Sequence, residues 1–292
     1  ALLRLMAWIA VTFGRRVARL ILHPITLYFV LFAPAARRRS KRYLARALGH
    51  PPHVWDGYRH VHAFASTILD RVYFARGQLS GFEITLHGGE LVEQALAQGS
   101  GAVLLGAHMG SFEALHAVGA HHAGLRVAMV MYPDNARKIH AVLQAIAPDL
   151  HMDIIAMGRS GSTLAIRDWL QGGGLVGMLG DRRLDADAPR GGTVALPFLG
   201  VDAQFSDGPL RLAQLLRQRV VFMVGLYHGG GRYEIRFESL ADFSQRPAEA
   251  AAREQQVRDA LAAYVRLLEN LCREAPYNWF NFHDFWDEDA AN

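Results

Sequence analysis

Between Gly81 and Leu226 the chain repeats one pattern: a short, almost purely apolar run followed by a polar stretch long enough for a helix. The runs fall at residues 102–105, 127–131, 154–157, 175–179 and 220–226. Apolar residues at every position, rather than every second one, mark strands buried on both faces. Such strands need a layer on each side, and the intervening amphipathic stretches can supply it. The pattern therefore predicts an α/β fold with a largely parallel central sheet flanked by helices. Residues 194–196 and 233–237 are expected as further strands, the second following the turn at 229–231. Residues 248–273, rich in Ala, Glu, Gln and Arg, are expected as one long helix. Residues 54–76 read as another, with Val61, Phe64, Ile68 and Val72 at helical spacing. No internal repeat or Pro/Ser-rich linker divides the chain, so residues 51–292 are expected as one domain.

Residues 1–50 form a separate problem. From Leu2 to Ala36 the chain is almost continuously apolar, interrupted by Arg4, Arg15, Arg16 and Arg19. Its longest uncharged run, residues 20–36, is about as short as a bilayer-spanning helix can be, and Pro24 and Pro34 disfavour a straight helix. No small-residue cleavage pattern follows it, so it does not read as a secretory signal. Arg37, Arg38, Arg39, Lys41 and Arg42 come next, and cations beside an apolar segment suit an anionic cytoplasmic leaflet. Two readings stand: an anchor in the membrane surface, or helices packed on the protein's own core.

Composition narrows the classes. With 51% hydrophobic and 20% charged residues the chain can bury a large core and is not disordered. A mean hydropathy of +0.07 is high for a freely soluble enzyme. The net charge of +4 fits a nucleic acid, an anionic membrane or an acidic carrier protein. The single cysteine, Cys272, excludes an intramolecular disulfide and a cysteine-based zinc site, and reads as a buried apolar residue.

The first candidate site is Gly106-Ala107-His108-Met109-Gly110-Ser111-Phe112-Glu113. A predicted strand ends at Gly106, and Ser111 is a plausible cap for a helix that follows. His108 would sit at the carboxyl end of a strand, where open α/β sheets place their sites. Glu113, in the helix's first turn, is expected to reach back to the imidazole and orient it. Such a pair can deprotonate an attacking hydroxyl, with the backbone N–H groups of Gly110 and Ser111 as candidate oxyanion donors. The spacing alone proves nothing. With 14 His and 27 acidic residues, a His with an acid five positions later is expected about once by chance, and it occurs twice. The second pair, His283 and Glu288, lies in an aromatic tail; only the first has a strand, glycines and a helix start around it.

That block resembles the lysophospholipid acyltransferase superfamily, whose signature is a His and an acid with four residues between. Three further stretches are similar to the branch containing the bacterial lipid A secondary acyltransferases. They are residues 175–181 with Gly191-Gly192-Thr193-Val194 and Pro197-Phe198-Leu199-Gly200, the Gly158-Arg159 pair, and the tail from Pro276 to His283. The blocks run in the family's order over nearly the whole chain. The resemblance implies a glycerol-3-phosphate acyltransferase-like sandwich with an N-terminal membrane anchor. It implies fatty-acyl transfer from an acyl carrier protein, or acyl-CoA, to a lipid or glycolipid hydroxyl at the cytoplasmic face of an inner membrane. His108 and Glu113 would be catalytic; Arg159, Asp181, Arg182, Gly191 and Gly192 would bind substrate. Ala107 stands where the lipid A enzymes carry Asn, Arg182 where they carry Gln, and Asp284-Phe285-Trp286 where their tail reads Arg-Arg-Trp. In these respects the chain is more similar to a subgroup found in glycolipid and aryl-polyene gene clusters.

Other motifs are expected to be silent. Residues 172–177 satisfy G-x-G-x-x-G but precede a strand instead of following one, so no dinucleotide is implied. His50, His53, His60 and His62 are expected to be lipid-facing or surface residues, not metal ligands. Neither cofactor nor metal is called for. The aromatic tail is expected to pack beside the site. A thioesterase or lipid hydrolase using the same dyad, or a non-catalytic lipid-binding protein, remains as an alternative; nucleic acid is disfavoured because the basic cluster abuts an apolar segment.

Overall fold

The computed structural model describes residues 2–97, 99, 101–114, 125–133, 137, 153–182 and 192–286, with side chains from Trp8 onward. A seven-stranded sheet organises it. β1 (Glu83–His87), β2 (Ala102–Gly106), β3 (Val127–Met131), β4 (Asp153–Ala156), β5 (Leu175–Leu179), β8 (Arg219–Tyr227) and β9 (Arg232–Asp242) pair in the order β1-β9-β8-β2-β5-β3-β4. All neighbours are parallel except β8 and β9, which form a long antiparallel hairpin. The expected α/β architecture is therefore present, and the five apolar runs are all strands within a residue or two.

Alternation within the strands explains why those runs are apolar throughout. On β2, Val103 and Leu105 join a cluster with Ile166 and Leu170 of α5 (Ser162–Gln171) and Leu261 and Leu268 of α7 (Ala250–Glu274). Ala102 and Leu104 face the other way, onto Val92 and Ala95 of α4 (Gly89–Ala97). Both faces are covered, so no position on β2 is free to be polar. A separate hairpin, β6 (Thr193–Phe198) and β7 (Val201–Ser206), turns through Leu199 and Gly200, both at positive φ. α6 (Gly208–Leu215) follows. Sequence periodicity did not single out β1 or β7; both are half exposed or edge strands with weak apolar patterning.

The N-terminal segment packs one face on the body and leaves the other bare. α1 (Leu2–Phe32) is broken at Gly14, and α2 (Pro34–Leu48) leaves it at 93°. No single helix among the described residues is long and apolar enough to cross a membrane; only this bent pair passes by length and composition. One face of α1 packs on α3 (Val54–Phe74), burying Ala18, Leu22 and Val30. Arg15 clamps it there, with Nε and Nη2 donating to the buried Asp70 carboxylate at 2.7 and 2.8 Å, while the Tyr233 hydroxyl of β9 donates to the same carboxylate at 2.9 Å. The opposite face leaves Trp8, Phe13, Leu20, Leu27, Tyr28 and Phe32 exposed.

Candidate active site

Parallel register builds the site. β2 and β5 are neighbours in which Gly106 stands opposite Leu179. Two residues beyond each strand come His108 and Asp181, so the register that pairs the strands also brings these side chains together. His108 Nδ1 lies 2.8 Å from Asp181 Oδ1, and the His108 backbone N–H donates to Asp181 Oδ2 at 2.9 Å. A third donor, the Trp279 indole N–H, reaches the same Oδ2 at 2.9 Å. Burial alone would push the Asp181 carboxyl up, but the His108 ring and these N–H groups outweigh it and hold the group down to about 2. An ionised carboxylate only accepts, so the Nδ1 of His108 that faces it carries a proton, and Nε2 is the ring nitrogen turned away from Asp181. The His108 side chain is 30% exposed, against 2% for Asp181. Reach to a substrate and a buried orienting charge are thus both present.

Here the structure corrects the expected pairing. Glu113 does sit in the first turn of a helix, but its carboxylate is taken by other partners. Ser111 Oγ donates to Glu113 Oε2 at 3.2 Å, and Arg71 Nε of α3 lies 2.7 Å from Oε1. The Arg71 contact is ionic, since that N–H is not aimed along a hydrogen bond. Asp181, placed by sequence among the substrate-binding residues, is the imidazole's partner. Spacing along one segment suggested Glu113, whereas register between two strands delivers Asp181.

The expected oxyanion donors are corrected as well. The Gly110 N–H donates to the Asn278 carbonyl and the Ser111 N–H to the Gly225 carbonyl, each at 2.8 Å. Gly110 has φ +62°, and a side chain there would overlap the Gly225 carbonyl oxygen. Close crossing of two backbones, not anion binding, accounts for the glycine. Ser111 acts as the expected cap: its Oγ accepts from the Ala114 N–H at 3.3 Å.

The C-terminal tail locks this turn. The Phe280 N–H donates to the His108 carbonyl at 2.8 Å, and Met109 pairs with Trp279 in an antiparallel bridge. Trp279 is fully buried, with Phe198 of β6 and Phe285 against its ring at centroid distances of 5.3 and 4.9 Å. Behind it, His60 Nε2 lies 2.8 Å from the Trp279 carbonyl and Nδ1 lies 2.8 Å from Ser40 Oγ. A carbonyl only accepts, so Nε2 carries the proton and the Ser40 hydroxyl donates to Nδ1. Burial pulls the His60 ring down to about 4, and it is held neutral. This is a third correction to the sequence reading, which put His60 with the surface or lipid-facing histidines. His62 is half-buried and stacks on His23 of α1 at 4.7 Å. Among the described residues no group of three or more His, Cys, Asp or Glu could hold a metal ion.

The remaining candidates divide. Arg182 follows Asp181 at the surface, and Arg182, His108 and Arg39 together with burial draw the His283 ring down to about 4, burial being the largest cause. These groups share one rim. Arg159 lies after β4, between strand and helix as expected, with its backbone N–H on Ser162 Oγ at 3.2 Å. β4 is three strands from β2, roughly 14 Å at ordinary strand spacing, so Arg159 shares the sheet's carboxyl edge without joining the dyad. Gly192 sits against the Asp207 carboxylate, where a side chain would press on it. Gly191, with Arg183 and Arg190, lies outside the described residues. Sequence reasoning missed Trp279 as an Asp181 ligand and His60 as its support; neither has a local pattern that would reveal a contact this long in sequence.

A family model described as bacterial lipid A biosynthesis acyltransferase matches residues 2–288. Comparison with curated proteins gave no match.

Proposed function

The chain belongs to the bacterial lipid A biosynthesis acyltransferase family and is an acyltransferase; from that premise we propose that it moves a fatty-acyl group from a carrier thioester to a lipid or glycolipid hydroxyl, with His108 as general base and Asp181 as its partner. The observation that carries this reading is the His108–Asp181 pair, set at the carboxyl edge of adjacent parallel strands with Nε2 left for substrate.

The step follows from that geometry. The acceptor hydroxyl gives its proton to His108 Nε2 as its oxygen attacks the thioester carbonyl. Asp181, held ionised, stabilises the imidazolium that forms. The tetrahedral adduct then expels the thiolate, which takes the proton from Nε2, leaving an ester, a free thiol and the starting imidazole. No group on the enzyme is acylated. Ser111, the other conceivable nucleophile, is buried and occupied as a helix cap. Glu113 supports the site at one remove, tying the start of its helix to α3 through Arg71.

Arg182 is assigned to a phosphate of the acceptor headgroup or of phosphopantetheine, with Arg159 further along the same edge. An acidic acyl carrier protein suits the cationic surface, and acyl-CoA offers the same thioester. The exposed apolar face of α1 and the cations of α2 fit the cytoplasmic surface of an inner membrane.

The test is acyl transfer from radiolabelled acyl carrier protein into a total bacterial lipid extract. His108→Ala should lower labelled lipid by about 10²–10⁴-fold, the scale for losing a general base. Unchanged transfer in His108→Ala would sink the mechanism. Thioester loss without labelled lipid in the wild type would instead favour the hydrolase reading.

A further inference from the structure

A cavity of about 1050 Å³ lies in the elbow where α2 turns away from α1, with α3 as its third wall. His108 is not among the residues that line it. Its lining is hydrocarbon: Leu22, Val30, Leu44, Val61, Ile68 and Val72 among others. At one end stands Phe282 of the C-terminal tail, stacked on His60 at 4.7 Å. The wall also includes Phe29, Leu31 and Val54, which are 45%, 53% and 81% exposed, so the mouth opens onto the bare apolar face of α1. Three exposed cations, Arg37, Arg38 and Lys41, line the cavity as well. One further detail is out of keeping with a plain core void: Thr26, in the same wall, keeps a fully buried hydroxyl without a hydrogen-bond partner.

We propose that this elbow cavity receives a hydrocarbon chain of the membrane-resident acceptor lipid, whose phosphate sits against Arg37, Arg38 and Lys41. The volume is at the upper end of the range for small-molecule sites, as a long chain requires. The mouth decides between the two chains in the reaction. A chain already in the bilayer enters past Phe29, Leu31 and Val54 without crossing water. The donor chain arrives on a carrier from the aqueous side and has no reason to need that opening. The cations select an anionic headgroup at the depth where such headgroups lie. The inference rests on the acyl-transfer reading for the identity of the acceptor, and on geometry alone for the binding of a lipid chain.

Gly57 lines the cavity, and a Cβ added there meets nothing within 4 Å. Gly57→Phe, whose Cβ has room, and Ile68→Trp are two independent ways to fill the space. The full chain is bound to phosphatidylcholine vesicles doped with a phosphatidylglycerol carrying a diazirine on one acyl chain, then irradiated and mapped by peptide mass. Labels are expected on the α1 and α3 walls near Phe29 and Val61. Either filling variant should reduce them by about tenfold, as should changing Arg37, Arg38 and Lys41 together to Gln. In turnover with the total lipid extract, Gly57→Phe should raise KM for lipid by about tenfold while KM for the acyl thioester stays put. A raised thioester KM with an unchanged lipid KM would assign the cavity to the donor chain and overturn the proposal. Labels elsewhere, or labels that survive both filling variants, would overturn it too. Photolabelling reads binding without turnover, so a chain that labels as expected but transfers nothing would count against the acyl-transfer reading alone.

Discussion

The site at the sheet's edge and the elbow at the N-terminus are built on opposite principles. Around Asp181 each described polar contact is specified: a ring nitrogen, a backbone N–H and an indole N–H converge on one buried carboxylate. In the elbow almost nothing is specified; an apolar space is bounded by three helices and edged with cations. Directional bonds fix one geometry, which proton transfer needs, because their strength falls steeply with angle and distance. Apolar contact is non-directional, so the elbow can accept chains that differ in detail. On the proposed reading, precision lies where a proton would move and tolerance where a chain would be held.

That contrast can be broken most severely at its precise end. Asp181→Asn keeps the shape but removes the charge that stabilises the imidazolium. Turnover should fall by about 10²–10⁴-fold with little change in KM for lipid, measured by steady-state transfer. A loss of less than about tenfold would mean that the imidazole does not depend on this carboxylate.

The elbow should fail through its attachment. Asp70 is fully buried and holds α1 to α3 and β9 through Arg15 and Tyr233. Asp70→Asn strands the Arg15 charge and should cost about 3–5 kcal/mol of unfolding free energy by urea denaturation. If instead the loss is a few tenths, α1 is not an integral wall of the body.

His60 joins the two regions, and its neutrality gives a pH signature. Its folded value of about 4 lies below the ordinary 6.5, so the unfolded chain binds the proton more readily. The stability it contributes is full above about 6.5 and is lost as pH falls toward 4, about 3 kcal/mol in all. Unfolding measured from pH 7 to 4 should show that loss in the wild type and lack it in His60→Gln. His283, also drawn down to about 4, titrates in the same window but is common to both proteins, so the difference isolates His60. Parallel curves for the two proteins would refute the assignment.

The smallest effect is expected at Glu113. Glu113→Gln removes a part-exposed ion pair with Arg71 and leaves His108–Asp181 intact. Activity should drop by about tenfold or less, through a loosened helix start rather than a lost charge at the ring. Equal damage from Glu113→Gln and Asp181→Asn, in rate and in pH profile, would restore Glu113 as the imidazole's partner.

What the sequence determined by itself was the architecture and the edge on which His108 and Asp181 lie. Apolar runs without alternation require cover on both faces, and that requirement makes a sheet flanked by helices whatever the details. A strand ending at Gly106 puts His108 at the carboxyl edge, and Asp181, after another such strand, shares it. The tertiary structure decided the partners. Whether His108 meets Glu113 or Asp181 depends on which strand lies next to β2 and in what register, and on Arg71 drawing Glu113 away. Neither is encoded in local spacing. The same holds for Trp279 and His60, which meet the site from 98 residues beyond Asp181 and from 219 residues before Trp279. For the N-terminal segment, sequence showed an apolar stretch ending in cations, but which face is bare depends on where α3 packs. Local pattern records what a segment can bury; only folding records what it is buried against.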